Sequence, residues 1–161
     1  MGCWGIEALA SDAGMDAWDD LLMECLTEDG KLELNQMIDS IKRDPLYVVP
    51  NATDGYYIEP LVIAELIIRF INQSSYRYEE ITSCAVDKKS VRWIRKYVSD
   101  TLQSRIKVVE CAAKSGADKY TRWDGWTEED WHRWQTHMSE LIGALGKLLS
   151  SPVDPIELID L

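Results

Sequence analysis

The sequence predicts an all-α fold, a compact bundle of about five helices joined by two long loops. Apolar residues recur at intervals of three and four over most of the 161-residue chain, as they do in α-helices that pack on one face. Capping residues precede these stretches, and glycine or proline follows them. The length favours a single helical domain, residues 1–161, able to bury about 70% of its unfolded surface.

The first predicted helix begins after Ser11 or Asp12, either of which can cap it, and ends near Leu26. At about 100° per residue, one face is apolar and the opposite face is acidic. The apolar residues are Met15, Trp18, Leu21, Leu22 and Cys25, and the opposite side carries the aspartates Asp12, Asp16, Asp19 and Asp20. A second helix, roughly residues 31–43, has a buried face of Leu34, Met37, Ile38 and Ile41. It ends before Asp44-Pro45, because the residue before proline avoids the helical conformation.

The two long loops, residues 45–58 and 72–85, lie before and after the third helix. The third begins near Glu59 with Pro60 in its first turn, and its nearly uniform apolar surface predicts a central position. The fourth covers about residues 88–115 and ends at a glycine. The fifth begins at Thr127, with Asp130 in the place that Glu or Gln usually takes in a capping box. The tail after residue 152 is apolar enough to dock on the bundle.

Composition argues against several classes of protein. The net charge of -11 opposes nonspecific binding to nucleic acid or anionic membranes, although residues 85–122 carry ten basic and four acidic side chains. None of the four cysteines forms a CxxC pair, so a zinc site is disfavoured. The longest apolar stretch is far short of the roughly 20 residues of a transmembrane helix, and no signal peptide is recognisable. We therefore expect a cytoplasmic protein with reduced thiols and no cofactor.

The N-terminus carries a distinctive motif. It reads Met1-Gly2-Cys3-Trp4-Gly5, then Ser11-Asp12, then Ala17-Trp18-Asp19-Asp20-Leu21. We expect Trp4 to fold back onto the helices, since the flanking glycines permit a tight path. This motif resembles the opening of a bacterial family known as domain of unknown function 4259 (DUF4259), and the helix around Glu65 is similar to a glutamate-containing helix of that family. The resemblance implies a small, mainly helical bacterial protein and supplies no catalytic residues.

Glu65 is the most unusual polar residue, because it lies in the apolar third helix. A buried carboxylate must be paired or neutral, and Arg69, one turn on, is the expected partner. A catalytic base is the alternative, although no second catalytic group is evident. His132 and His137 are five residues apart and cannot chelate a metal as an i, i+4 pair would, so no metal site is predicted. Cys25 and Cys111 are expected to be small buried residues.

Two further clusters have both a structural and a functional interpretation. Lys88, Lys89, Arg92, Arg95 and Lys96 form a basic cluster with Trp93 and Tyr97 interleaved. It is either a solvated helix face or a surface on which nucleic-acid bases stack. The tryptophans Trp123, Trp126, Trp131 and Trp134 are either core residues or a ligand platform. The structural interpretation is favoured for both.

Because the sequence shows no combination of residues that would form a catalytic site, it favours a binding protein over an enzyme. The leading hypothesis is a bacterial immunity protein that neutralises a cognate toxin by sequestering it. Asp12, Asp16, Asp19 and Asp20 would supply the contact surface, together with the acidic side of the final helix, since negative charge speeds association with a basic partner. The alternative is an enzyme or small-ligand binder that uses Glu65 and the tryptophan-rich region.

Overall fold

A computed structural model of the chain describes residues 5–51, 56–72, 80–116 and 127–159. Helices dominate these residues, which confirms the predicted fold class. The five α-helices are α1 (Asp12–Cys25), α2 (Leu34–Arg43), α3 (Glu59–Ile71), α4 (Lys88–Lys114) and α5 (Glu128–Leu149). A single turn of 3-10 helix, Ala8–Ala10, precedes α1.

Most helix ends lie where the capping residues predicted them. The Ser11 hydroxyl accepts the Gly14 N–H at the start of α1. At the start of α5, the Thr127 side chain and the Asp130 carboxylate each accept the other's backbone N–H, so Asp serves in this capping box. Gly116, just beyond α4, has a φ of 73°, a left-handed conformation that favours glycine.

A small sheet was not predicted from the sequence. Its strands are β1 (Lys31–Glu33), β2 (Ser83–Val86) and β3 (Ile156–Glu157), with β2 in the middle, parallel to β1 and antiparallel to β3. The expectation of helix over residues 31–33 and of loop over residues 83–85 is therefore wrong. Strands this short contain too few residues for an alternating pattern to stand out.

The core surrounds α3, as its uniform apolar character predicted. Every residue from 60 to 67 is buried, and α3 contacts the other four α-helices. The longest helices, α4 and α5, pack against each other along one side. The sheet belongs to the same core, because Leu32 of β1, Cys84 of β2 and Leu158 just after β3 are fully buried. The C-terminal tail therefore docks on the bundle.

One residue of the expected apolar face of α1 lies on its surface. Met15 is 45% exposed, whereas Trp18, Leu21 and Cys25 are buried. Met15 sits at the edge of the apolar arc, about 60° from Trp18, where the helix turns away from the core. Within the described residues, no helix combines the length and the apolar character needed to span a bilayer.

Candidate functional site

The outer face of α1 carries the aspartates that the sequence placed there. Asp16, Asp19 and Asp20 are exposed, and Asp12 is half-buried in the first turn. In the part of the chain that the structure describes, no ion pair involves Asp16, Asp19 or Asp20. These carboxylates are therefore open to a partner.

Two exposed methionines share that face. Met23 is 85% exposed and Met15 is 45% exposed. Met15, Asp19 and Met23 follow one another at intervals of four, so they form a stripe along the helix, and Asp16 and Asp20 lie along one side of it. We call these five residues the acidic face of α1. It combines apolar contact area with negative charge.

Residues 5–10 form a segment, here called the N-terminal strap, that lies against the start of α1 and against α3. The Ser11 hydroxyl donates to the Ala8 carbonyl oxygen over 2.7 Å. Gly14 of α1 approaches the strap so closely that a Cβ atom there would lie 1.9 Å from the same oxygen. Only glycine fits at this contact.

Glu65 of α3 hydrogen-bonds to the backbone of the strap. It is 3% exposed, and its Oε1 and Oε2 accept the backbone N–H groups of Ala8 and Leu9 at 2.6 and 2.8 Å. The expected Glu65–Arg69 pair is wrong, because Arg69 instead binds Glu7 of the strap at 2.9 Å. The one-turn spacing indicated a pair, but Glu65 faces inward towards the strap amides while Arg69 reaches a half-exposed position.

His137 of α5 is the second partner of Glu65. Its Nε2 lies 2.9 Å from Glu65 Oε1, and its side chain is 14% exposed. Burial acts to lower the pKa of His137, but the hydrogen bond and charge of Glu65, with further help from Glu7 and Glu140, outweigh it and raise the pKa above its ordinary value. The pair therefore favours an imidazolium beside a carboxylate.

Sequence reasoning missed this pairing. The separation of the two histidines along the sequence bears only on whether they can chelate a metal together, and not on whether either one pairs with Glu65. A usable signal existed, because His137 lies three residues after Trp134 and directly before Met138, both of which belong to the predicted buried stripe of α5. A polar residue at the edge of a buried stripe is a natural partner for a buried carboxylate on a neighbouring helix.

An open groove of about 810 Å³ borders this pair. Its lining includes Ile6 and Glu7 of the strap and His132, Arg133, His137 and Glu140 of α5. Among the described residues, His137 has no hydroxyl or thiol hydrogen-bonded to it, and no three metal-ligating side chains come together. The arrangement can hold and exchange a proton on His137, next to a mainly acidic surface.

Several side chains of the basic cluster make contacts within the described part of the chain. Arg95 donates to the Ile142 carbonyl oxygen of α5 at 3.1 Å, and Lys96 binds Asp100. Lys42 of α2 lies over the Trp93 ring, 4.9 Å from its centroid, so an internal cation covers that ring. Tyr97 is buried, and its hydroxyl donates to the Val48 carbonyl oxygen and accepts the Tyr57 N–H. This supports the interpretation of the cluster as a structural helix face.

Tryptophan and cysteine positions also favour structural roles. Trp131 and Trp134 are buried and stacked, with ring centroids 5.4 Å apart. Burial raises the pKa of the Cys25 thiol, and burial near Glu157 raises that of Cys84 to about 12, so neither is a ready nucleophile. Cys111 is exposed, contrary to expectation. Cys3, Trp4, Trp123 and Trp126 lie outside the described residues.

Comparison with known proteins gives no family assignment. No protein-family model, curated protein or solved structure matches the chain. The resemblance to DUF4259 therefore stays a prediction that rests on the N-terminal motif.

Proposed function

We propose that this chain is a binding protein that captures a basic protein partner on the acidic face of α1, and that it serves as an immunity protein for a cognate bacterial toxin. The observation that carries the proposal is the set of three exposed aspartates on α1 that pair with no cation among the described residues, beside two exposed methionines.

The charge of the chain favours a cationic partner. The chain carries a net charge of -11, so a cationic partner is drawn towards it from a distance. Because the aspartates lie together on one helix face, they attract the cationic partner to that face. This attraction raises the association rate and disfavours acidic partners. Glu128, Glu129 and Glu140 line the groove on α5 and add to the negative charge that draws such a partner.

The exposed methionines add apolar contact area to this charged surface. Charge at the rim of an interface contributes mainly to rate and specificity, whereas affinity depends on desolvated apolar anchors near its centre. Met15 and Met23 lie at the two ends of the row of aspartates along α1, and their flexible side chains adapt to the shape of a partner. The acidic face of α1 therefore offers both components of a protein interface.

The test first asks whether a gene adjoining the gene for this chain encodes a toxin, and then immobilises the product of that gene for surface plasmon resonance. Asp16, Asp19 and Asp20 are changed together to asparagine, and Asp12 is kept because it lies in the first turn of α1, where its charge favours the helix dipole. At about 0.01 M ionic strength we expect the association rate to fall at least about tenfold. At about 0.15 M salt the difference shrinks, because screening shortens the range of the charges.

A matched control neutralises three acids elsewhere. Asp39, Glu80 and Glu110 are also exposed, and their change to the corresponding amides alters the net charge by the same amount. We expect a much smaller effect on the association rate. Equal rates for the two triple variants would rule out the acidic face of α1 as the interface. Failure of the wild-type chain to bind or neutralise that toxin would rule out the immunity function itself.

The second candidate is a small-ligand binder or enzyme at the groove. One observation favours it: His137 is held by a buried carboxylate at the border of an open groove of about 810 Å³. Glu65 and the buried tryptophans are not among the residues that line this groove. A fragment screen followed by ¹H–¹⁵N spectra tests it, and shifts confined to the groove that disappear in His137→Asn would favour this candidate over toxin capture.

A further inference from the structure

We propose that the acidic face of α1 also binds a second copy of this chain, at a surface formed by the loop that follows α2 and by the first turns of α4. This surface, here called the basic patch, combines the exposed apolar residues Leu46 and Val49 with Lys42, Lys89 and Lys96. The inference goes beyond toxin capture and does not depend on it, because it concerns the chain alone.

The apolar part of the basic patch lies on a loop that is held in place. Leu46 is 75% exposed and Val49 is 64% exposed. The Leu46 N–H donates to the Asp44 carboxylate at 2.8 Å, and the Tyr97 hydroxyl of α4 donates to the Val48 carbonyl oxygen at 2.8 Å. Because the loop is already ordered, a partner that covers these two side chains loses little conformational entropy on binding.

Three lysines lie beside this loop. The Nζ atom of Lys42 lies 4.9 Å from the centroid of the Trp93 ring, and the ring of Tyr47, in the loop, lies 6.3 Å from the same ring. Lys89 and Lys96 are four residues before and three residues after Trp93, so they are its neighbours on the surface of α4. The exposed apolar residues therefore lie next to a group of positive charges.

These positive charges are available to a partner. In the part of the chain that the structure describes, Lys42 and Lys89 form no ion pair. Lys96 pairs with Asp100, but its side chain is 75% exposed. An ion pair this exposed contributes little to stability, so Lys96 can bind a carboxylate of another molecule instead.

The acidic face of α1 complements the basic patch in charge, in apolar content and in length. It presents three aspartates to three lysines, and two exposed methionines to two exposed aliphatic side chains. Its methionines are eight residues apart, about 12 Å along the helix, and Lys89 and Lys96 are seven residues apart, about 10 Å along α4. Charge complementarity of this kind favours one partner surface over others.

The net charge of -11 repels two copies at long range, so the charges at the contact must outweigh it locally. At 0.15 M ionic strength the Debye length is about 8 Å, so charges far from the contact are largely screened, whereas charges that meet directly are not. We therefore expect a weak contact, populated at about 0.1–1 mM chain. Because the same aspartates would be covered, self-association and capture of a basic partner would exclude each other.

Sedimentation equilibrium of the full chain at about 0.15 M salt tests the proposal. The weight-average mass should rise above that of the 18.4 kDa monomer as the concentration increases to about 1 mM. A mass that stays at the monomer value over this range would overturn the proposal.

Variants of the two surfaces show whether these surfaces make the contact. The acidic-face variant changes Asp16, Asp19 and Asp20 to asparagine, and the patch variant changes Leu46 and Val49 to serine. All five side chains are exposed, so the thermal unfolding midpoint should stay close to that of the wild-type chain. Each variant should weaken association at least about tenfold, since few residues carry most of the affinity of an interface.

The acidic-face variant separates local attraction from overall repulsion. Removal of three negative charges changes the net charge from -11 to -8, which by itself favours association. Weaker association of this variant therefore requires a local role for the aspartates. The variant with Asp39, Glu80 and Glu110 changed to amides has the same net charge and should associate at least as well as the wild-type chain. Equal weakening in both triple variants would overturn the proposal.

Exposed residues elsewhere and the lysines provide the matched tests for the patch variant. Val153→Ser changes another exposed apolar residue, 55% exposed, and should leave association unchanged. The double change Lys89→Gln and Lys96→Gln leaves the loop intact and should weaken association. Wild-type association of both the patch variant and this lysine variant would overturn the assignment of the patch.

Mixing the two surface variants gives the sharpest test. The acidic-face variant keeps its basic patch, and the patch variant keeps its acidic face, so an equimolar mixture contains one intact pair of complementary surfaces. Association should therefore reappear in the mixture although each variant alone is monomeric. A mixture that stays monomeric under conditions in which the wild-type chain associates would show that the two surfaces do not bind each other, and would overturn the proposal.

Discussion

His137 on α5 lies 2.9 Å from Glu65 on α3, 72 residues earlier in the chain, and the same carboxylate accepts two N–H groups from the N-terminal strap. One buried side chain thus joins three segments that are distant in sequence. Hydrogen bonds to a buried carboxylate are among the stronger contacts available to a fold, because each involves a full charge. We therefore expect even a conservative substitution of Glu65 to reduce the stability of the fold strongly.

Glu65→Gln should lower the free energy of unfolding by about 2–4 kcal/mol, since the amide keeps the shape but loses the charge and one acceptor oxygen. Urea denaturation measures the difference. Glu7→Gln is the control, because Glu7 and Arg69 form an ion pair that is 45% and 27% exposed, and its loss should cost less than about 1 kcal/mol. Comparable losses in the two variants would contradict the central role of Glu65.

The stability of the chain should depend on the protonation of His137. Its pKa is raised in the folded state, so its contribution is fully present below the unfolded value of about 6.5 and is lost as the pH rises through the folded pKa. The difference in free energy of unfolding between the wild-type chain and His137→Gln should therefore shrink as the pH increases from about 6 to 9. Urea titrations at several pH values measure it, and a difference that grows with pH would refute the assigned sign.

Helices were predictable from the sequence because their signals are local. Ser11 and Thr127 cap helices whose apolar faces repeat over several turns, and Pro60 marks the first turn of α3. The sheet escaped prediction because β1 holds three residues and its partner β2 lies 52 positions later, at Lys31 and Ser83. A strand of that length is defined by its pairing rather than by its own pattern.

Only part of the candidate site could be predicted, because the sequence shows which residues are close along the chain and not which are close in the fold. The local sequence placed Glu65 on a buried helix and required a partner for it, and the nearest cation along the helix was Arg69. The actual partners are two backbone N–H groups and His137, and none of these is within a helical turn of Glu65. The exposed aspartates of α1 were predictable, because the period of the helix alone assigns them to the outer face.

Gly14 should tolerate no larger residue, because a Cβ atom there would lie 1.9 Å from the Ala8 carbonyl oxygen. Gly14→Ala should cost about 1–3 kcal/mol, as the strap or the start of α1 must shift. Gly143→Ala in α5 is the matched control, since nothing lies within 4 Å of its Cβ position and alanine favours a helix interior by about 0.5–1 kcal/mol. Thermal unfolding of both variants should show opposite shifts, and a stabilised Gly14→Ala chain would contradict the close approach.

The docked C-terminal tail should contribute to stability far more than its short length indicates. Leu158 is fully buried although it lies only three residues from the C-terminus, and its N–H donates to the Cys84 carbonyl oxygen at 2.8 Å. Leu158→Ala should lower the free energy of unfolding by about 2–5 kcal/mol, since it leaves a cavity in the shared core. Val153→Ala, in the same tail but 55% exposed, should change it by less than about 0.5 kcal/mol. Urea denaturation distinguishes the two, and equal midpoints would mean that the tail does not dock on the bundle in solution.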